Sequence, residues 1–271
     1  MIYAIVCGAA GRMGGRIVAM IRQSDDFILV GAVEQPNSAS IGQDAGEVAG
    51  IGKLGVPVTG DLGAVVSEGQ VVIDFTAPQA TISHLATAAQ AKVPVVVGTT
   101  GCDTVQLDRI KELSASIPCV LSPNMSIGVN LVFKILAEVA PVLGDGYDVE
   151  IVETHHRLKK DAPSGTALKM ARVIAAALGR DLDKVGVYGR RGMVGVRGKD
   201  EIAIHAVRAG EVVGDHTVLF EGGGERIEVT HRAHSRDNFA RGALRAARWI
   251  IGRPSGLYDM QDVLGLKGQG R

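Results

Sequence analysis

The seven residues GAAGRMG (8–14) lie directly between an unbroken apolar run, IYAIV (2–6), and a helical pattern over 12–22. This juxtaposition constrains the chain more than any other feature. An apolar run without polar alternation predicts a strand buried on both faces, and a glycine turn opening a helix predicts a βα unit. The rhythm then recurs. FILVGAV (27–33) follows, then VVIDF (71–75) with a helical pattern over 79–91, PVVVG with another over 105–115, and PCVLS ending at Ser122. Buried strands separated by helices imply a parallel sheet with right-handed crossovers. The first half therefore reads as a Rossmann-type, doubly wound α/β domain.

After Ser126 the pattern changes. A long helix over about 128–142 precedes YDVEIVETHH, a strand alternating apolar and polar residues, and a further helix opens at Ser164. The stretch EIAIHAVRAGEVVGDHTVLFEGGGERIEVTHRA reads as strands joined by Gly-rich turns. These elements predict a second α+β domain with a mostly antiparallel sheet, one face of it wet. The expected division is 1–126 for the first domain and 127–235 for the second. The remainder, 236–271 with a helix over 238–251, should return to the first domain.

Composition excludes several classes. Basic and acidic residues balance at 29 each, so no global field recruits nucleic acid or an anionic membrane. Cys7, Cys102 and Cys119 lack metal-ligand spacing, which points to a reducing compartment without a disulfide framework. The apolar run at the N-terminus is too short for a signal peptide, and no apolar segment approaches the roughly 20 residues of a membrane span. The expectation is a soluble cytoplasmic protein with neither a nucleic-acid nor a membrane partner.

In its strand-to-helix setting the glycine turn gains meaning. Gly8 permits the tight turn, Gly11 lets backbone approach a pyrophosphate, and the helix start offers N–H groups to an anion. The spacing is G-x-x-G-x-x-G, so the position carries more weight than the pattern, and a purely structural turn remains the alternative. Glu34 lies 20 residues beyond Gly14, where a carboxylate accepts bonds from ribose hydroxyls. Gln35 follows it, where an arginine would hold a 2′-phosphate. GTTG (98–101) and SPNM (122–125) each follow a strand, where open α/β sheets place ligands.

The stretch HHRLKKDAPSGT (155–166) gathers two histidines, an arginine and two lysines before a helix start. A solvated basic loop is the plain reading. Beside a nicotinamide site it reads differently. Hydride addition builds negative charge that a nearby acid quenches, and His or Lys suits that task. Ser164, Gly165 and Thr166 present hydroxyls and N–H groups to a carboxylate. Cations beside such an anion site imply an acidic substrate. A metal held by His155 and His156 is disfavoured because adjacent strand residues face opposite ways, and no metal is expected. Ser164 as a nucleophile lacks its G-x-S-x-G setting. His205, His216, His231 and His234 read as strand surface residues.

Together, ETHHRLKKDAPSGTA (153–167), GAAGRMG, GTTG, SPNMSIGVN and the closing SGLYDMQDVL resemble the 4-hydroxy-tetrahydrodipicolinate reductase (dihydrodipicolinate reductase) family, from the first strand to about Leu264. The resemblance implies reduction of a cyclic dicarboxylate, formed from pyruvate and aspartate semialdehyde, to tetrahydrodipicolinate on the route to diaminopimelate and lysine. It implies NADH or NADPH as reductant and a homotetramer. Carried over, His155 is the acid/base group and Lys159 the proton donor, while His156, Gly165 and Thr166 hold the substrate carboxylates. Gly8, Ala9, Ala10, Gly11, Arg12, Met13, Glu34, Gly98, Thr99, Thr100, Ser122, Pro123, Asn124 and Met125 would contact the dinucleotide. Two departures stand out. Gln35 lacks the basic residue many members carry, which favours NADH over NADPH, and Met125 replaces a frequent phenylalanine. A different amino- or keto-acid dehydrogenase has no reason to carry the His-His to Ser-Gly-Thr segment, and a dinucleotide sensor needs neither His155 nor Lys159.

Overall fold

The computed structural model describes residues 1–267, so the last four residues of the 236–271 segment lie outside it. The chain forms two compact units, one of residues 1–127 with the chain from Arg236 onward, the other of 128–235.

In the first unit β1 (Ile2–Cys7), α1 (Arg12–Gln23) and β2 (Phe27–Val33) make the expected βα start. A short α2 (Ala45–Val48) and β3 (Val58–Thr59) follow, then β4 (Val71–Asp74), α3 (Pro78–Ala91), β5 (Val95–Val97), α4 (Thr104–Ser114) and β6 (Pro118–Leu121). The connection before β3 is held by one side chain: the Asp44 carboxylate accepts the N–H groups of Gly46, Leu54 and Gly55 at 2.6–2.9 Å.

The second unit runs α5 (Ile127–Leu143), β7 (Tyr147–His155), α6 (Gly165–Ala177), α7 (Leu182–Val185), β8 (Gly186–Tyr188), β9 (Ile202–Arg208), β10 (Gly214–Gly222) and β11 (Glu225–Ala233). The chain then returns to the first unit through α8 (Asp237–Ile250), β12 (Gly256–Tyr258) and α9 (Met260–Val263).

The first sheet has the strand order β12-β6-β5-β4-β1-β2-β3, with every pairing parallel. Side chains alternate between two apolar layers. Ala4 and Val6 face α1 and α8, whereas Ile5 and Cys7 face α3 and α4. Burial on both faces is the reason the strand sequences show no polar alternation. The chain moves outward from β1 in one direction and resumes at β4 on its other side. The switch point, where such folds bind ligands, therefore lies at the carboxyl ends of β1 and β4.

The second sheet, β11-β10-β7-β9-β8, is mixed rather than mostly antiparallel. β10 pairs antiparallel with β7 and β11, but β9 runs parallel to both β7 and β8. The crossover through α6 and α7 returns the chain in the direction of β7, which the turn-rich sequence of the last three strands does not announce. One face packs Ile151, Ile204, Val218 and Phe220 against Leu136 of α5 and Met170 and Ile174 of α6.

The expectation about apolar segments also needs correcting. Residues Ile127–Gly146 form a helical stretch long and apolar enough, by length and composition, to cross a membrane. Here Val129, Phe133, Leu136 and Ala140 turn into the core of the second unit. Lys134 and Glu138 on the same helix form an ion pair at 3.0 Å. Only about a third of that stretch is buried: one side of the helix packs into the core, while Leu131 and Val142 stand exposed.

Candidate active site

Two sets of residues gather, each within its own unit. In the first, Gly8 takes φ +79° to turn the chain out of β1. A Cβ at Gly14 would stand 2.0 Å from the Gly8 carbonyl oxygen, so helix and turn pack at a distance only glycine permits. The α1 N-cap is Gly11, which offers no side-chain cap, and the first turn carries no acid. Arg12 stands there exposed instead. Uncapped helix N–H groups with a cation beside them and no acid in the helix's own first turn suit a pyrophosphate. Ala9 is buried, Ala10 exposed and Met13 half-buried against the core. Glu34 bends back toward this turn, accepting the Ala10 N–H at 3.1 Å and the Gln35 N–H at 3.0 Å. These residues fit a dinucleotide: turn, helix start and ribose-type carboxylate are adjacent.

Residues that the sequence reading missed close the switch point. Phe75 and Thr76 follow β4, and a Cβ on Gly8 would sit 2.8 Å from the Phe75 carbonyl oxygen. A Cβ on Gly98 would lie 2.2 Å from the Phe75 ring. Phe75 thus forms a wall against both glycine turns, and the signal available was its place just past a central strand.

Of the residues after β5 and β6, Thr100 and Pro123 are exposed and Asn124 is half-buried. Three others turn inward. Thr99 directs its hydroxyl into a buried cluster, Ser122 donates to the Asn124 carbonyl at 2.8 Å, and Met125 is 1% exposed within the core. Their side chains face the protein, so any ligand contact there belongs to backbone.

The second set is built on β7. Its alternation places Val149, Ile151, Glu153 and His155 on the inner face. His155 is buried, and its Nδ1 lies 2.6 Å from Oε2 of the fully buried Glu153. Arg208, at the end of β9, donates to both Glu153 oxygens at 2.8 Å, and the Ser164 N–H donates to Oε1 at 2.9 Å. Burial pushes the Glu153 carboxyl up, but the bonds from His155, Arg208 and Ser164 prevail and hold it at about 2. A carboxylate on Nδ1 fixes the proton there and leaves Nε2 to exchange protons.

Arg208 also donates to the Asp161 carbonyl at 2.6 Å, and the Asp161 carboxylate holds the Lys159 ammonium at 2.8 and 2.9 Å. The Lys159 contact is also the main reason the Asp161 carboxyl sits below its usual range. One connected set of bonds therefore runs from His155 through Glu153, Arg208 and Asp161 to Lys159. Sequence reasoning named its two ends and missed the middle.

Ser164 caps α6, accepting the Ala167 N–H at 3.2 Å, and its hydroxyl meets His216 Nε2 at 3.0 Å. It is 2% exposed, so it shapes the helix start from inside. Gly165 is exposed, and a Cβ there would meet nothing within 4 Å. His156 is half-buried, its backbone N–H donating to the Val212 carbonyl at 2.8 Å.

His216 departs from the surface reading. It is 4% exposed, and its ring meets that of His155 edge to face at 5.1 Å. Burial, and next the neighbouring His155, drive its pKa down to about 3. It shares the inner face of β10 with Val218 and Phe220. Gly214, on the same face, lies so close that a Cβ would stand 2.9 Å from His155 Nε2.

The sequence reading found no metal-ligand spacing. Among the described residues Cys7, Asp74 and His84 do gather, with donor atoms within 4.8 Å of one another. Yet burial, then Asp74, raises the Cys7 thiol well above its usual range, and His84 Nδ1 lies 2.7 Å from Asp74 Oδ2, a hydrogen-bond distance. Two ligands of one tetrahedral ion, each about 2 Å from it, stand more than about 3 Å apart.

Residues 2–125 match the family model of the dihydrodipicolinate reductase N-terminus, and 128–264 that of its C-terminus. The 4-hydroxy-tetrahydrodipicolinate reductase of Syntrophus aciditrophicus is 55% identical, over 98% of this chain and all of its own. That of Geobacter sulfurreducens is also 55% identical, over 97% of this chain and 98% of its own. A dipicolinate-bound dihydrodipicolinate reductase from Paenisporosarcina superposes with a TM-score of 0.77 at 27% identity, covering 97% of this chain and 98% of that one. With both halves matched and full-length relatives above half identity, the chain belongs to the dihydrodipicolinate reductase family and is an NAD(P)H-dependent oxidoreductase of the diaminopimelate and lysine route.

Proposed function

We propose that this chain reduces 4-hydroxy-tetrahydrodipicolinate to tetrahydrodipicolinate, taking up a hydride and a proton and losing water, with the β7–α6 segment as its chemical centre. The observation that carries this reading is the His155–Glu153 pair, which leaves His155 Nε2 to exchange protons close to the start of α6. The dinucleotide supplies the hydride when bound. Gly8, Ala9, Ala10, Gly11, Arg12 and Met13 hold its pyrophosphate and Glu34 its ribose, while backbone at Gly98, Thr99, Thr100 and at Ser122, Pro123, Asn124 and Met125 lines the remainder.

Lys159 delivers the proton to the atom on which charge accumulates, and His155 exchanges protons through Nε2. Asp161 holds the Lys159 ammonium in place between turnovers. His156 and the N–H groups of Gly165 and Thr166 bind the two carboxylates, with Ser164 fixing the helix start from within. NADH is preferred and NADPH is used less well. A homotetramer and a cytoplasmic location belong to the same reading. The exposed apolar side chains Tyr188, Met193, Val194 and Val196 beside the second sheet support assembly.

The test mixes the purified enzyme with pyruvate, aspartate semialdehyde, the preceding synthase and NADH. Loss of the reduced-nicotinamide absorbance, inhibited competitively by pyridine-2,6-dicarboxylate, is expected. A monocarboxylate analogue inhibiting equally well overturns the two-carboxylate site.

A further inference from the structure

Asp74 ends β4 fully buried, in the first unit. Its Oδ1 accepts from the Thr76 hydroxyl at 2.6 Å, the Thr76 N–H at 3.1 Å, the Thr81 hydroxyl at 3.1 Å and the Thr99 hydroxyl at 3.2 Å. Its Oδ2 meets His84 Nδ1 at 2.7 Å. The threonines also lie within hydrogen-bond reach of one another, Thr81 and Thr99 hydroxyls at 2.7 Å, Thr76 and Thr81 at 3.2 Å, and the Thr76 N–H and the Thr99 hydroxyl at 3.1 Å, so three hydroxyl protons are shared between these contacts and the carboxylate. These partners come from separate stretches of chain. Thr76 follows β4, Thr99 follows β5, and Thr81 and His84 lie on α3.

Burying a carboxylate costs several kcal/mol unless its lone pairs are filled, and apolar packing stabilises such a position at least as well. Stability alone therefore does not account for the cluster. Its location does. The cluster ties together the two turns at the carboxyl ends of β4 and β5. Between Asp74 and Thr76 stands Phe75, whose carbonyl and ring abut the Gly8 and Gly98 turns.

We propose that Asp74 and His84 are positioning residues for the dinucleotide, acting through Thr76 and Thr99 to fix Phe75 and the two turns at the switch point. This rests on the dinucleotide reading above and assigns a device to it. His84 is the outer member, with a side chain 19% exposed, so it is replaceable with less disturbance than Asp74. Its Nδ1–H donates to Oδ2 and directs Oδ1 toward the threonines.

The experiment compares His84→Leu with His84→Asn, because an Asn side-chain N–H stands near the place of Nδ1. A lost bond to a buried carboxylate is expected to weaken NADH roughly tenfold, both in Kd and in KM. With kcat and the KM for the dicarboxylate each within about threefold of wild type and His84→Asn restoring affinity, the proposal stands. Kd is read directly from reduced-nicotinamide fluorescence, so it is independent of turnover. A wild type that binds NADH but does not turn over the dicarboxylate contradicts the substrate assignment and leaves the His84 comparison intact.

If His84→Leu fails to fold, Thr81→Val carries the test, since it removes one hydroxyl of the cluster at nearly constant volume. Its NADH Kd should rise at least threefold. NADH affinity within twofold of wild type in the folded variant, or a loss that falls equally on kcat and both KM values without rescue by His84→Asn, overturns the proposal.

Discussion

Glu153 and His155 sit two residues apart on the inner face of one strand, and the carboxylate oxygen of the first lies 2.6 Å from Nδ1 of the second. That bond fixes which imidazole nitrogen carries its proton and which way the ring points. Replacing Glu153 by Gln removes the charge and confronts Arg208 with a donor. Turnover should fall on the order of 10²-fold, and stability by about 3–5 kcal/mol, because Arg208 loses its charged partner. Steady-state kinetics and a urea titration check both; a variant within threefold of wild-type kcat contradicts the assigned role.

Lys159→Ala should lower kcat by roughly 10²–10⁴-fold, the range of positioned acid catalysis. NADH affinity should stay within about twofold, since the glycine turn, α1 start and Glu34 belong to the other unit. Wild-type turnover in this variant excludes Lys159 as the proton donor.

A methyl group is enough to test the space in front of His155. Gly214→Ala places a carbon 2.9 Å from Nε2, and the ring must yield. The expected result is a drop of roughly tenfold in kcat with a midpoint of thermal unfolding within a few degrees of wild type. Unchanged kinetics would mean that the ring moves without consequence.

His216 makes stability depend on pH. In the folded chain burial holds its pKa at about 3, against an ordinary value of 6.5. Between those values the unfolded chain binds the proton and the folded one does not, so stability is lost as pH falls from about 6.5 toward 3. The limit is about 5 kcal/mol, to order of magnitude. Glu153 adds a second loss only at lower pH, below the ordinary carboxylate value of 4.5 and toward about 2. Urea titrations at pH 7 and pH 5 should show the first loss in the wild type and a smaller one in His216→Gln. Equal slopes in the two proteins would assign the acid sensitivity elsewhere.

In the proposed function cofactor choice turns on Glu34. Like charges about 4 Å apart at an effective dielectric near 20 repel by roughly 4 kcal/mol before screening, and the partial exposure of Glu34 reduces this severalfold. NADH should give the higher kcat/KM, and Gln35→Arg should narrow the gap by supplying a cation for the 2′-phosphate. Arg12→Ala should penalise NADPH more than NADH. The ratio of kcat/KM for the two cofactors at fixed salt decides, and a wild-type preference for NADPH refutes the assignment.

The parallel sheet was legible because two-sided burial writes itself as unbroken apolar runs, and the glycine turn because only glycine meets its contacts. The segment that carries His155 and Lys159 singled them out, and the bonds through Glu153, Arg208 and Asp161 tie them together, while their catalytic roles belong to the proposed function. What stayed hidden depends on contacts between distant stretches. Arg208 reaches Glu153 across 55 positions, and Thr99 reaches Asp74 across 25. His216 is a different case. Its alternation with Val218 and Phe220 places it inward, against the reading of it as a strand surface residue. The mixed sheet was missed because strand direction is set by the α6 crossover, which no local pattern records.

The Arg208 guanidinium has a consequence for protein engineering. It clasps the carboxylate behind the histidine and the backbone of the lysine-bearing loop at once, from a strand about fifty residues away. Transplanting the HHRLKKDAPSGT segment into another scaffold would move the letters and leave the clasp behind. A working graft must bring β7, β9 and the N-terminal turn of α6 together, and the smallest portable piece of this chemistry is therefore a fragment of sheet.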